Sequence, residues 1–294
     1  MSVQLQLTGH DKDLGGGFMV RRLLPSAQKQ AVGPFLFFDH FGPITVMPGH
    51  SHDVRPHPHI GLATVTYLFE GAIMHRDSLG SAQRIEPGAI NWMTAGRGIV
   101  HSERGPEEMK AAAYVNHGIQ LWAALPAAYE EVEPAFEHTP SQAIPTLTVG
   151  DAGVRVLIGQ AFGKTSPVNT FSPTIYLDVQ LKAGGTFELP SLAAELALYS
   201  IDNDISVDGE AVGAHTLVLL TPGKAARIHA ATSARLMVLG GEALDGHRLI
   251  WWNFVFSRKE RIVAASDAWA AQAMGQVAGE TEFIPLPEHR PAAT

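Results

Sequence analysis

Short apolar runs separated by glycine and proline account for most of the chain. The runs are rich in β-branched and aliphatic residues and have the length of strands, roughly four to eight residues. The 29 glycines and 19 prolines are scattered between them, where turns are expected. The runs that we predict as strands are 62–69, 89–93, 154–158, 174–181, 196–201, 216–220 and 234–239. This pattern predicts an all-β protein.

Helical periodicity is rare. It is clearest in 257–274, where Ser257 is a candidate N-cap and apolar residues recur at roughly helical spacing. These apolar residues are Ile262, Val263, Ala270 and Met274. A second, shorter helix is predicted after Pro126. We therefore expect a few short helices, one of them near the C-terminus.

Two stretches of the chain follow the same plan, one starting at Thr66 and the other at Ala197. Each has a hydrophobic strand, a turn, a short strand, a glycine corner and an apolar run near a Pro-Gly turn. Such a duplication predicts two similar β-barrels. We place them at 1–135 and 146–294, joined by a proline-rich linker over 132–146.

Composition narrows the functional classes. The absence of cysteine excludes disulfides, a cysteine nucleophile and thiolate metal sites. The net charge of -8, with no basic stripe, argues against nucleic-acid binding. The sequence has neither a secretory signal nor an apolar run of the ~18 residues that a membrane span needs. We therefore expect a cytoplasmic monomer that does not contact membranes.

Two pairs of polar residues at strand spacing point to a metal site. His57 and His59 are two positions apart at the start of an apolar run, and His101 and Glu103 follow a glycine-rich turn with the same spacing. Residues i and i+2 of a strand share a face. If both segments are neighbouring strands of one barrel, three imidazoles and one carboxylate converge.

Imidazole nitrogens with one carboxylate suit Fe(II), Ni, Mn, Co, Cu or Zn and do not suit Mg or Ca. Such a set leaves coordination positions open for dioxygen, water or a substrate oxygen. Glu103 either ligates the metal or acts as a general base toward a bound phenol or enol. The alternative for all four residues is a group of hydrogen-bonded or surface side chains near a loop, since the chain has 14 histidines and about one H-x-H pair is expected by chance.

Other polar and aromatic residues are assigned more ordinary roles. We expect His50 and His52 to lie on a loop, and Asp39 and His40 at the end of a strand. In the second half we align Leu189 and Ser191 with His57 and His59, so the second barrel is expected to bind no metal. Five apolar residues either pack in the core or form the wall of a pocket for a flat aromatic ligand, namely Phe37, Phe38, Phe69, Trp92 and Met93.

Four motifs occur together and in order: FDHFGP at 38–43, RPHPHIG at 55–61, TVTYLFEG at 64–71 and WMTAGRGIVHSE at 92–103. With them the chain resembles the pirin family of the cupin superfamily, strongly over about its first 125 residues. The resemblance implies a bicupin, with two antiparallel jelly-roll barrels and the metal in the first. It also implies the same ligand set, namely His57, His59, His101 and Glu103, and iron as the metal.

The resemblance implies two functions. One is a flavonol dioxygenase that uses dioxygen to open the heterocycle of quercetin, with a small aromatic substrate and release of carbon monoxide. The other is a regulator whose metal reports redox state to a protein partner. We favour the enzyme, because no basic interaction surface or localisation signal is evident. The chain departs from the family at Ala63, at Asn91 and in RLIWWNFVFSRKERI at 248–262.

Overall fold

A computed structural model describes residues 2–15 and 17–289. In the first half of the chain the strands are β1 (Val3–Leu7), β2 (His10–Asp13), β3 (Met19–Leu24), β4 (Phe35–Val46), β5 (Val54–His59), β6 (Leu62–Glu70), β7 (Ile73–Asp77), β8 (Ala82–Ile85), β9 (Ile90–Thr94), β10 (Ile99–Arg104), β11 (Tyr114–Ala124), β12 (Ala135–Thr139) and β13 (Thr146–Val149).

In the second half the strands are β14 (Ala152–Ile158), β15 (Gln160–Ala161), β16 (Lys164–Thr165), β17 (Thr174–Leu181), β18 (Thr186–Leu189), β19 (Glu195–Ser200), β20 (Ile205–Val207), β21 (Glu210–Val212), β22 (Leu217–Leu220), β23 (Ala226–His229), β24 (Ala234–Gly241), β25 (Leu249–Trp251) and β26 (Phe254–Phe256). Helix α1 spans Lys259–Ala270, and short 3-10 turns occur at Glu107–Met109, Ala127–Tyr129 and Ser141–Ala143. All seven runs that we predicted as strands are strands, with ends shifted by at most two residues.

The chain folds into two compact units, and both are discontinuous in sequence. The N-terminal unit comprises Lys12–Val20, Asp39–His138 and the chain from Asp245 onward. The C-terminal unit comprises the chain up to Asp11, Arg21–Phe38 and Thr139–Leu244. The boundaries 1–135 and 146–294 remain a prediction. Residues 2–11 thus belong to the unit built mainly from the second half of the chain, and residues 245–289 belong to the unit built mainly from the first half.

The strand order is the same in the two halves of the fold. One seven-stranded sheet has the order β12-β9-β6-β11-β4-β3-β2. Strands β5, β7, β8 and β10 form a four-stranded sheet with the order β5-β10-β7-β8. The other seven-stranded sheet has the order β1-β22-β19-β24-β17-β14-β13, and the corresponding four-stranded sheet has the order β18-β23-β20-β21. This is the bicupin architecture, and it is the structural form of the internal repeat.

The core of the C-terminal unit lies between its two sheets. Apolar side chains from both sheets, among them Leu177, Phe187, Leu198 and Ile228, form one buried cluster. Because successive side chains of a strand alternate between faces, each strand sends one set of residues into this cluster and the other set away from it.

In the N-terminal unit the C-terminal segment, residues 245–289, covers the outer side of β5 and β10. Val100 packs there against Phe254, Ile262 and Trp269. The Ser102 hydroxyl donates to Glu280 (2.9 Å), and the amide of Ile284 donates to the Pro56 carbonyl (2.8 Å). Residues that alternate with these on β10 therefore face the interior of the unit.

Three local predictions are corrected. Helix α1 begins at Lys259, and Ser257 does not cap it, because its amide and hydroxyl are bonded to the Glu130 carboxylate (2.7 and 2.5 Å). The stretch after Pro126 forms one 3-10 turn and no α-helix. Asp39 and His40 lie within β4 and not at the end of a strand. The linker over 132–146 stays a prediction.

A membrane span is not found among the helices of the described residues, since none is both long and apolar enough.

Candidate metal centre

Strand pairing brings three predicted ligands together. His101 of β10 lies directly opposite His57 of β5, and His59 lies opposite Ile99 in the same ladder. The ring centroids of His57 and His101 are 4.4 Å apart, and that of His59 is 5.0 Å from His57 and 5.1 Å from His101. One nitrogen from each ring lies within 4.8 Å of the others, and all three residues are buried. This is the spacing that ligands of one metal ion require.

Two of the imidazoles are oriented by backbone carbonyls. Nδ1 of His57 lies 2.9 Å from the carbonyl oxygen of Arg55, and Nδ1 of His59 lies 3.0 Å from that of Asn253. A carbonyl only accepts, so each Nδ1 carries the proton and each Nε2 keeps its lone pair. Fixing the tautomer in this way is the usual support for a metal-bound histidine.

His101 presents a buried nitrogen that has no partner. Its Nε2 makes no hydrogen bond, and its Nδ1 lies 3.4 Å from Nδ1 of His75. A buried polar atom without a partner costs free energy unless something binds to it. A transition metal ion at the centre of the three rings would use this lone pair, so the residues fit the ion.

Burial keeps the rings neutral. It lowers the pKa of His57 to about 4, against a smaller raising effect of its hydrogen bond to Arg55. It also lowers the pKa of His59 and of His101 well below the usual histidine value, and the neighbouring imidazoles lower both further. Neutral rings at pH 7 are the state that binds metal.

Glu103 is on the same face of β10 but is set apart from the triad by a β-bulge. The pairing with β5 shifts between His101 and Glu103, so that Glu103 lies opposite Val54, while on the β7 side it lies opposite His75. Its carboxylate is not among the atoms within 4.8 Å of one another. Burial raises the pKa of Glu103, and His75 and the Thr66 hydroxyl oppose this. Ligation by Glu103 stays a prediction.

Three residues around the triad were not predicted from the sequence. His75 and Asp77 lie on β7, and the ring of His75 stacks on Phe136 with a centroid distance of 4.2 Å. Their spacing, two positions apart, is the same signal that identified the other pairs. Asn253 contributes only a backbone carbonyl, for which no side-chain signal exists.

Three other polar residues that we singled out, His52, Asn91 and His40, contact neighbouring side chains. His52 stacks on Phe18 with a centroid distance of 4.8 Å. Asn91 accepts a hydrogen bond from Nδ1 of His138 (2.7 Å). His40 and His117 face each other, with their Nε2 atoms 2.9 Å apart.

The predicted aromatic wall divides between the units. Phe38 packs edge to face on Tyr199 in the C-terminal unit, and the Arg22 guanidinium lies over the Phe37 ring. Phe69 packs on His117 in the N-terminal unit, with a centroid distance of 4.7 Å, and Trp92 is buried there.

The corresponding positions of the C-terminal unit are apolar. The amide of Ser78 donates to the carbonyl of Val100, and in the C-terminal unit the amide of Asp208 donates to the carbonyl of Arg227. Val100 therefore corresponds to Arg227, and the next residue, His101, corresponds to Ile228. Ile228 lies opposite Phe187, as His101 lies opposite His57. The counterparts of His57, His59 and His101 are thus Phe187, Leu189 and Ile228, all buried. Our alignment with Leu189 and Ser191 was two residues out of register.

Comparison with known proteins identifies the family. The model of the pirin family matches residues 17–123, and that of the pirin C-terminal cupin domain matches 176–275. A pirin-like protein of Caulobacter vibrioides is 43% identical over 290 residues, which cover 97% of this chain and 100% of that protein. The chain belongs to the pirin family. Human pirin is 31% identical to this pirin over 271 residues, covering 90% of each.

A solved structure matches the whole fold of this pirin. The crystal structure described as quercetin 2,3-dioxygenase from Acinetobacter baumannii superposes with a TM-score of 0.91 at 32% sequence identity. The match covers 100% of this chain and 97% of that one. Both the family resemblance and the bicupin fold expected from the four motifs are therefore confirmed.

Proposed function

We propose that this pirin is a metal-dependent dioxygenase that cleaves a flavonol such as quercetin, or a similar enolisable aromatic. The observation that carries the proposal is the buried triad of His57, His59 and His101, in which Nε2 of His101 has no partner. The likeness to the structure described as quercetin 2,3-dioxygenase supports the choice of substrate class.

The cofactor in this proposal is Fe(II), with Ni, Mn, Co, Cu and Zn as the alternatives that metal analysis decides. A redox-capable ion in such a site supplies open positions for a substrate oxygen and for dioxygen. His57, His59 and His101 would hold it, and Glu103 would be the fourth ligand when it is not acting as the general base. The all-nitrogen triad argues against Mg and Ca, which prefer oxygen.

In the reaction, Glu103 accepts the proton of the substrate hydroxyl. It lies two positions beyond His101 on the same strand, so its carboxylate faces the same interior as the triad. The Thr66 hydroxyl interacts with this carboxylate. A positioned carboxylate that removes a proton in the transition state contributes about 10²–10⁴-fold to a rate.

The protein purified without added ions is expected to contain a transition metal and to consume quercetin only when dioxygen is present. Metal analysis, the decay of quercetin absorbance with and without oxygen, and a carbon monoxide assay measure these three properties. An iron-loaded protein that consumes no quercetin and releases no carbon monoxide in air would contradict the proposal. The redox-reporting role would then be tested by recovery of partners from lysate under reducing and oxidising conditions.

Replacing Glu103 with glutamine is expected to lower turnover of quercetin by about 10²–10⁴-fold, because the amide cannot accept the proton. Glu107→Gln is the matched control, since Glu107 is an exposed residue of a nearby 3-10 turn. Metal content of both variants is measured together with turnover. Full turnover in Glu103→Gln would exclude the proton-accepting role.

A further inference from the structure

We propose that Asp77, acting through His75, fixes the tautomer of His101 and so determines how strongly His101 binds the metal. The three residues form a chain from a carboxylate to an imidazole to the ligand imidazole. The inference rests on the metal site of the proposed function and is independent of the substrate. His75 and Asp77 act here as positioning residues.

The first link is the carboxylate of Asp77, whose two oxygens have different partners. Oδ1 accepts the amides of Leu79 (2.9 Å) and Ser81 (3.0 Å), and Oδ2 lies 3.0 Å from Nε2 of His75. Burial raises the pKa of Asp77, but the hydrogen bonds from His75 and Ser81 outweigh it and hold the pKa below its usual value. An ionised carboxylate only accepts, so Nε2 of His75 carries a proton.

The second link follows from that tautomer. A neutral imidazole protonated at Nε2 has its lone pair at Nδ1, and Nδ1 of His75 faces Nδ1 of His101 at 3.4 Å. Two nitrogens at this distance are compatible when one donates and the other accepts. His101 therefore carries its proton on Nδ1, and its lone pair is on the buried Nε2 that has no other partner. Stacking on Phe136, with 12° between the ring planes, holds His75 in place.

His101 differs from the other two ligands in how it is supported. His57 and His59 donate to backbone carbonyls, which every residue type provides. Only His101, among these three, depends on side chains for its orientation. A carboxylate that supports a ligand histidine makes it a stronger donor, and loss of such support typically weakens metal binding by about 10–100-fold.

The C-terminal unit shows that the fold itself does not need this chain of side chains. Asp77 lies opposite His101 in the ladder, as Val207 lies opposite Ile228. By the same register, His75 corresponds to Ile205, and both counterparts are buried and apolar. In the C-terminal unit, apolar residues thus replace both the three ligands and the pair His75 and Asp77. This is the pattern expected of residues that serve the metal.

The decisive variant is Asp77→Asn. Its amide oxygen can still accept from Leu79 and Ser81, while its NH₂ group faces Nε2 of His75 and donates to it. His75 then carries its proton on Nδ1, which faces Nδ1 of His101. Two protonated nitrogens would repel each other there, so His101 is driven to carry its proton on Nε2, the atom that must bind the metal. The Kd for Ni(II), measured by competition with a chelator, is expected to rise about 10–100-fold.

Two further variants separate this role from a structural one. His75→Phe keeps the stacked ring but removes the acceptor, so it should also weaken Ni(II) binding, and Asp77→Asn should have no further effect on Ni(II) affinity when added to it. Asp208→Asn, in the corresponding turn of the C-terminal unit, is the matched control and should leave the affinity unchanged. If Asp77→Asn lowered the Ni(II) affinity of the His75→Phe variant as much as it lowers that of the wild-type protein, the proposal would be overturned.

The tautomers can also be observed without metal. In ¹H–¹⁵N correlation spectra of the metal-free protein, His75 is expected to be protonated at Nε2 and His101 at Nδ1, and Asp77→Asn should reverse the tautomer of His75. The opposite tautomers in the wild-type protein, or unchanged Ni(II) affinity in folded Asp77→Asn, would overturn the inference. A protein with these tautomers and affinities that does not consume quercetin would overturn the proposed function alone.

Discussion

Replacing His101 with alanine is expected to remove the metal from the purified protein. The substitution deletes one of the three converging nitrogens, so the site loses a ligand and binds metal too weakly to retain it at trace metal concentrations. Metal analysis of the variant should give background values, and quercetin turnover should fall with the metal. Purification without added ions is essential, because excess metal can fill a weakened site.

The fold should survive this loss. Alanine leaves a small cavity at a buried position, but it also removes a nitrogen that the metal-free protein buries without a partner, which costs about 1–3 kcal/mol. The two effects on the free energy of unfolding have opposite signs. The buried Ile228 at the corresponding position shows that this strand pair needs no histidine.

His229→Ala is the matched control for this experiment. His229 is an exposed histidine of β23, one position after Ile228, and its Nδ1 bonds to the Gly185 carbonyl (3.1 Å). The control should retain the wild-type metal content. A folded His101→Ala protein that also retains its metal would exclude His101 as a ligand.

The fold could be predicted in large part because strand patterns are local. Runs such as 174–181 and 234–239 are rich in apolar residues and are bounded by turn residues. They match β17 and β24 closely. The triad was predictable for the same reason, since residues two positions apart on a strand share a face. Long-range partners have no such signal.

His75 illustrates where the local signal failed. The strand Ile73–Asp77 was not among the predicted strands, so no face could be assigned to His75 and Asp77. The register of the repeat failed differently, because without strand pairing the choice between Phe187 and Leu189 as the counterpart of His57 is arbitrary. Pairing with Ile228 decides it.

The hydrogen bond that orients His59 is the feature of the site that the sequence could least predict. Its partner, the carbonyl of Asn253, is 194 residues away in the C-terminal segment. Asn253 is in the turn between β25 and β26, and the amide of Val255 in the same hairpin donates to the Ile60 carbonyl. Correct placement of this hairpin is therefore a condition for the geometry of the metal site.

Glu130 holds both ends of that hairpin, which begins after Arg248 and ends before Ser257. The Arg248 Nε lies 3.0 Å from the Glu130 carboxylate, and both side chains are 2% exposed. The Ser257 amide and hydroxyl donate to the same carboxylate, and Arg248 also donates to the Leu125 carbonyl (2.9 Å). A buried ion pair of this kind is costly to break from one side, because the remaining charge stays buried.

Glu130→Ala is therefore expected to lower the free energy of unfolding by about 3–5 kcal/mol. It should also weaken Ni(II) binding, because the hairpin that carries Asn253 loses both of its fixed ends and His59 loses its orientation. Urea denaturation and chelator competition measure the two effects. Glu131→Ala is the matched control: Glu131 is exposed and pairs with Arg258 and Arg261, so its loss should cost only about 0–1 kcal/mol. Equal stabilities of the two variants would show that the buried pair does not anchor the hairpin, and unchanged Ni(II) affinity in Glu130→Ala would separate the hairpin from the metal site.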